Sequence, residues 1–208
     1  MLSRQPLPRM GGPIMVEKLK SYWRRTVVWA GVALIYALPL VAVHGAFDMF
    51  LKIDGVAGES TDDKHKEWIE VLSFSHGVSQ PSLATQSSGG ARATSPSQHQ
   101  NLTILKTLDK SSPKLALYCC NGTHVRELSL EFCKAGGDGQ KYMVYRLYDV
   151  LVTSIRPSGE ASGTGTLPLE EVSFNYGKIE WTYTVMKPDG SPSGDIKASW
   201  DMSSNKGM

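Results

Sequence analysis

The sequence predicts a mainly β fold, a small antiparallel barrel or sandwich with one short α-helix, preceded by an apolar N-terminal helix or signal-like extension. Three observations carry this. Polar and apolar residues alternate with period two in about eight segments, helix signals gather in one short stretch, and the connectors between them are rich in Gly, Ser and Pro. The most informative segment is Leu167 to Val185, LPLEEVSFNYGKIEWTYTV, where apolar residues fall on Val172, Phe174 and Tyr176 and then on Ile179, Trp181, Tyr183 and Val185. The phase slips at Gly177, which predicts a β-bulge or a sharp bend there, because an unabsorbed slip would turn every later side chain to the wrong face. The segment is therefore expected to be one long bent strand in a curved sheet.

At 208 residues the chain is long enough for one well-buried domain and an appendage. Its net charge of +2 is unevenly placed: residues 1–45 carry +5 and the remainder −3. A mildly acidic body argues against nucleic acid as the main partner. Cys119, Cys120 and Cys133 are too few and wrongly spaced for a zinc finger, and are expected to be buried small hydrophobes in a reducing compartment.

Residues 1–45 are expected to be separate from a domain at 46–208. Thr26 to Val43, TVVWAGVALIYALPLVAV, follows Arg24 and Arg25 and has the parts of a secretory signal, with small residues ahead of Ala46. A run of ~18 apolar residues is also just long enough to span a bilayer. Three readings stay open: a start assigned too far upstream, a cleaved signal, or a retained anchor, and only the last brings the chain to a membrane.

In the body, Phe47, Met49, Leu51 and Ile53 alternate with charged residues as a first strand, closed by Gly55 and Gly58. Glu59 to Lys66 is a charged loop, a solvated connector or a contact with a neighbouring subunit through Asp62, Asp63 and Lys64. Trp68 to His76 resumes the alternation, with Ile69, Val71, Ser73 and Ser75 on one side and Trp68, Leu72, Phe74 and His76 on the other. The side that ends in Ser73 and Ser75 suits a wall facing a water-filled lumen, and His76 is expected to be packed or hydrogen-bonded. Gly77 to Gln100 lacks apolar periodicity and, at ~24 residues, is too long for an ordinary connector. Leu102, Ile104 and Lys106 continue as strand. Ser112 as cap, Pro113 in the first turn and Gly122 at the far end predict a helix over Lys114–Asn121, with Leu115, Tyr118 and Cys119 against the sheet. Leu128 to Cys133 and Tyr142 to Ile155 read as strands, the second apolar on both sides as a central strand is. Pro188 to Gly194 reads as a turn, Ile196 to Trp200 as a last short strand, and the polar tail as frayed.

The chemistry of an enzyme is missing from this pattern. Glu170 and Glu171 are adjacent in a predicted strand, so they point to opposite faces and cannot work as an acid and base pair. Neither a Ser/His/Asp order nor a metal-ligand spacing appears, and Gly89-Gly90 is not followed by the Lys of a phosphate loop. The expectation is a non-enzyme without cofactor.

Three blocks resemble one family: AFDMFLKIDGVAGEST (46–61), KTLDKSSPKLALYCCNGTHVRELSLEFCKAGG (106–137) and the Leu167–Val185 strand. In this order they are similar to Hcp, the haemolysin-coregulated tube protein of bacterial type VI secretion. The resemblance implies a structural subunit that forms six-membered rings, stacked into a tube inside a contractile sheath and capped by a spike protein. It implies a cytoplasmic protein that is exported on firing with small effectors in its lumen, Ser73 and Ser75 being the candidate lumen-facing positions. It makes the Gly77–Gln100 loop an arm toward the adjacent ring, with His76, Gln80 and Pro81 at its root. The rival expectation is a monomeric β-barrel binding domain of the periplasm or inner membrane, delivered by residues 1–45.

Overall fold

The computed structural model describes residues 47–81, 95–135, 139–160 and 167–208. The strands are β1 (Phe47–Ile53), β2 (Ile69–Glu70), β3 (Ser73–Ser75), β4 (Val78–Ser79), β5 (Gln98–His99), β6 (Leu102–Thr107), β7 (His124–Lys134), β8 (Lys141–Ser158), β9 (Leu169–Met186), β10 (Pro192–Asp201) and β11 (Lys206–Gly207), with helix α1 (Ser112–Asn121) between β6 and β7. The expected apolar extension over 1–45 lies outside the described residues. Among those described, no helix is long and apolar enough to cross a membrane.

All strand pairs are antiparallel, and they run β2-β1-β7-β8-β9, with β9 joined also to β6 and β6 to β3. The segment from Ile69 to Ser75 closes this path on itself. Its first part pairs with β1, the Val71 N–H donates to Met49 O at 3.0 Å, the Leu72 N–H donates to Leu105 O at 2.8 Å, and its last part pairs with β6. The result is a closed barrel whose interior holds Leu51, Ile69, Leu102, Leu128, Leu130, Leu147, Val172 and Ile179. Each such side chain contributes about 1.5–3 kcal/mol on leaving water. The 18-residue β9 pairs with β8 along its length, with β6 over Leu169–Phe174 and with β10 over Lys178–Met186, so β10 and β11 form a wing beyond the barrel.

The phase slip near Gly177 is present, but it is not absorbed by a bulge, one of the two forms expected there. Tyr176 and Ile179 are both buried, yet the β8–β9 register runs unbroken from Val150↔Tyr176 to Tyr148↔Lys178. The reason is that β8 slips at the same level, between Leu147 and Val150, and β7 does so between Val125 and Leu128. Three neighbouring strands each place two outward residues in succession, so pairing survives while the buried face changes phase. Asp149, opposite Gly177, adopts φ 52, and a Cβ on Gly177 would lie 3.3 Å from the Asp149 Cβ, which is why the smallest residue sits there. The register shift of this strand pair falls instead between Val152 and Ser154.

Other expectations change in detail. Trp68–His76 is not one strand: at Val71–Leu72 it exchanges β1 for β6 as partner, so Phe74 turns toward the core while Leu72 is 54% exposed. Helix α1 starts at Ser112 and not at Lys114, with Ser111 at the N-cap and Gly122 (φ 65) closing it through its N–H to Tyr118 O. Ser112 does not cap; its hydroxyl faces Glu170. Leu115 is fully buried, with Tyr118 and Cys119 packed partly against the core, as their spacing requires. Of the cysteines only Cys133 is buried, and Cys120 is exposed. The tail is not frayed, since Lys206 and Gly207 pair with β10.

Candidate functional site

Apolar side chains fill the barrel interior, and the candidate residues stand on its outside. On β6 the residues Leu102, Ile104 and Lys106 turn inward, which leaves Thr103 and Leu105 outward. Their register partners are Ser75 and Ser73, both exposed. Thr103 pairs across with Ser173, Oγ1 to Oγ at 2.9 Å, and Thr153 Oγ1 donates to Ser173 O at 3.1 Å. Asn101 Nδ2 donates to Thr153 Oγ1, and Asn175 Nδ2 to Asn101 Oδ1, each at 3.0 Å. Ser73 and Ser75 thus border an uncharged row of hydroxyls and amides running across β3, β6, β9 and β8.

The long loop leaves the barrel as a short two-stranded ribbon. Val78 pairs with His99 and Ser79 with Gln98, and beyond them residues 82–94 lie outside the described set. Two histidines pin the ribbon's root to one tyrosine: His76 Nε2 lies 2.6 Å and His99 Nδ1 3.1 Å from the Tyr176 Oη. His99 also stacks on Trp200 of the wing, with centroids 6.5 Å apart. Burial lowers the pKa of His76, with His99 nearby adding to the effect, and burial lowers that of His99 too. Both imidazoles are therefore held neutral at pH 7. Burial likewise raises the Tyr176 hydroxyl far above its ordinary value. Gln80 is exposed and its amide donates to Ser95 O, and Pro81 is half-buried.

The charged loop is a strap more than a free connector. Ser60 and His65 are buried. Asp62 Oδ1 accepts from the backbone N–H of Lys64 at 3.1 Å and of His65 at 3.0 Å, and lies 2.6 Å from His65 Nδ1. The hydrogen bond from His65 is the main reason its carboxyl is held below the usual range. Asp62 is thus committed inward, whereas Asp63 and Lys64 are exposed. Ser73 and Ser75 stand on β3, His76 at the ribbon root, and Asp62, Asp63 and Lys64 on the strap.

Sequence reasoning missed an apolar patch on the wing. Tyr183 and Val185 continue the apolar alternation of Ile179 and Trp181, but both are exposed, as is Ile196 at 64%. Tyr183 and Ile196 are register partners, so they form a continuous apolar area.

These surfaces lie on a chain with clear relatives. The family model described as "Type VI secretion system effector, Hcp" matches residues 50–183. "Protein hcp1" of Pseudomonas aeruginosa is 36% identical over 162 residues, spanning 77% of this chain and 98% of that protein. The crystal structure of Hcp1 from Salmonella typhimurium superposes with a TM-score of 0.65 at 35% identity, covering 79% of this chain and 100% of the other. A solved type six secretion system protein reaches a TM-score of 0.73 at 35% identity, over 78% of this chain and all of its own. With the family match spanning the barrel and the relatives covered end to end, the chain belongs to the Hcp family of type VI secretion proteins.

Proposed function

We propose that the chain is a structural subunit of the type VI secretion inner tube. It acts without catalysis, assembles in rings of six that stack, and leaves the cytoplasm with the effectors its lumen carries. The observation that carries the reading is the family match over a barrel whose outside is only half finished. An apolar area at Tyr183, Val185 and Ile196 lacks a cover among the described residues, and a ribbon projects from the root formed by His76 and His99. Head-to-tail contacts of such surfaces close by rotation into a ring, and stacked rings remain open-ended. The neutral row beside Ser73 and Ser75 supports a wetted wall that holds cargo weakly. The exposed Asp63 and Lys64, with Gln80 and Pro81 at the ribbon, support contacts between copies; the spike and the sheath are the remaining partners.

The test is the mass in solution of the full chain and, beside it, of residues 46–208, by light scattering on a sizing column with negative-stain images of the peak. Six subunits around a central hole are expected. A stable monomer at high concentration would overturn the reading in favour of a single-barrel binding domain. Ser75→Trp in assembled rings is expected to release bound effector, and unchanged retention would remove Ser75 from the lumen wall.

A further inference from the structure

The strap carries one side chain that neither the core nor the assembly surfaces employ. His65 is 4% exposed, its ring stacked on Phe50 with centroids 4.1 Å apart and planes 4° from parallel, and met by the edge of Trp68 at 4.9 Å. Its Nδ1 lies 2.6 Å from Asp62 Oδ1, its Nε2 3.1 Å from Glu131 Oε2 and 3.8 Å from Cys133 Sγ. Glu131 and Cys133 are alternate residues of β7, so both face the strap, while Phe132 between them turns to the core. All three are buried, and their donor atoms lie within 4.8 Å of one another.

A neutral imidazole has one N–H, yet here it faces two carboxylates. One of the two contacts therefore needs a proton or a metal ion between the second nitrogen and its carboxylate oxygen. A proton would serve Glu131 alone, whereas the thiol at the same corner supplies a third donor of a kind that binds metals.

We propose that His65 Nε2, Glu131 Oε2 and Cys133 Sγ form a binding site for a borderline-soft divalent cation, with zinc the best match to the donor set. For a tetrahedral ion with bonds of about 2.05 Å to N, 2.0 Å to O and 2.3 Å to S, the N···O edge is about 3.3 Å and the N···S edge about 3.6 Å. The observed 3.1 and 3.8 Å depart from these by a few tenths. Asp62 takes the Nδ1–H and so fixes the tautomer that turns the Nε2 lone pair toward the ion, the carboxylate–histidine–metal arrangement of many sites. Lys141 Nζ holds the other Glu131 oxygen, Oε1, at 3.0 Å and leaves Oε2 for the ion. Burial, reinforced by Glu131, raises the Cys133 thiol to about 11, so the ion must displace its proton. Three protein donors leave one tetrahedral position to water. A bound ion would fasten the strap bearing Asp63 and Lys64 to β7, and it would do so in a single subunit whatever the assembly.

The test uses chelator-treated full chain titrated with Co²⁺ and then Zn²⁺. One equivalent of cobalt is expected, with a thiolate-to-cobalt charge-transfer band that zinc abolishes and with release of the thiol proton measured in unbuffered solution. The band is expected to persist in Cys119→Ser/Cys120→Ser and to vanish in Cys133→Ser, and Asp62→Asn is expected to weaken binding about 10–100-fold. Absence of the band, or a band that depends on Cys119 or Cys120, would overturn the site. Should Cys133→Ser lose the native circular dichroism spectrum, Glu131→Gln decides: binding weakened at least tenfold supports the site, and unchanged affinity refutes it.

Discussion

Lys106 offers the sharpest perturbation, because a fully buried ammonium ion is rare unless paired. Its Nζ donates to Glu170 Oε1 at 2.6 Å, Thr107 O at 2.8 Å, Asp109 Oδ1 at 2.9 Å and Ser112 Oγ at 3.3 Å. Glu170 is buried as deeply, and its remaining contact to the same oxygen is the Ser112 hydroxyl at 2.6 Å. Lys106→Met deletes the cation and leaves Glu170 buried with one hydroxyl donor, beside Asp109. Breaking one side of such a pair costs about 3–5 kcal/mol, much of it the cost of the orphaned charge. Each kcal/mol moves the melting temperature of a domain this size by about 2–4 °C, so a fall of about 6–20 °C is expected. Lys106→Met/Glu170→Leu should recover most of the loss, since replacing a buried pair by packed apolar side chains is often neutral or stabilising. Thermal and guanidinium unfolding followed by circular dichroism, run as a double-mutant cycle, gives the coupling directly. A single-mutant cost below about 1 kcal/mol, or a double mutant no better than the single, would show that the charges do not depend on each other and refute the reasoning.

Acid should loosen the ribbon root. His76 and His99 have native pKa values below 6.5, so the unfolded chain binds more protons as pH falls through that value, and stability is lost from there down toward the lowered native values. Amide protection factors over residues 95–100, corrected for the intrinsic pH dependence of exchange, should fall between about pH 7 and pH 5 and the change should shrink in His76→Asn; equal protection at both would oppose it. Gly58→Ala places a Cβ 2.3 Å from Trp68 O, a backbone atom that cannot step aside, so urea unfolding should report a loss of at least about 1–3 kcal/mol. Ile196→Glu should leave the unfolding of the dispersed subunit within about 0.5 kcal/mol of wild type while abolishing rings on the sizing column, and intact rings would clear the wing of a role in assembly.

Strand character was legible wherever one side of the chain met a core and the other met water. Phe47–Ile53, Leu102–Lys106 and the first half of Leu169–Met186 announce themselves by parity. What parity cannot express is a change of partner. Leu72 breaks the pattern because its segment passes there from β1 to β6, and Tyr183 and Val185 keep an inward parity on a wing with no inside. Nor does alternation reveal pairs across long separations: Lys106 looked like an ordinary strand residue because Glu170 lies 64 positions away. His65 was hidden among charges for the same reason, its partners Glu131 and Cys133 being 66 and 68 residues distant. The resemblance of three blocks carried the family, while Ser73, Ser75 and the ribbon root needed the register before their neighbours could be named.

The shared level of Val125–Leu128, Leu147–Val150 and Tyr176–Ile179 has a consequence for how this chain can change length. Deleting Gly177 alone would restore strict alternation to one strand and set Lys178 to Met186 a face out of step with two neighbours that still carry the extra residue. Compensation would require losses at the same height in β7 and β8, three coincident events in separate parts of the coding sequence. Tolerated insertions and deletions should therefore collect in the connectors and spare this row, and the shared change of face should pass from ancestor to descendant as a unit.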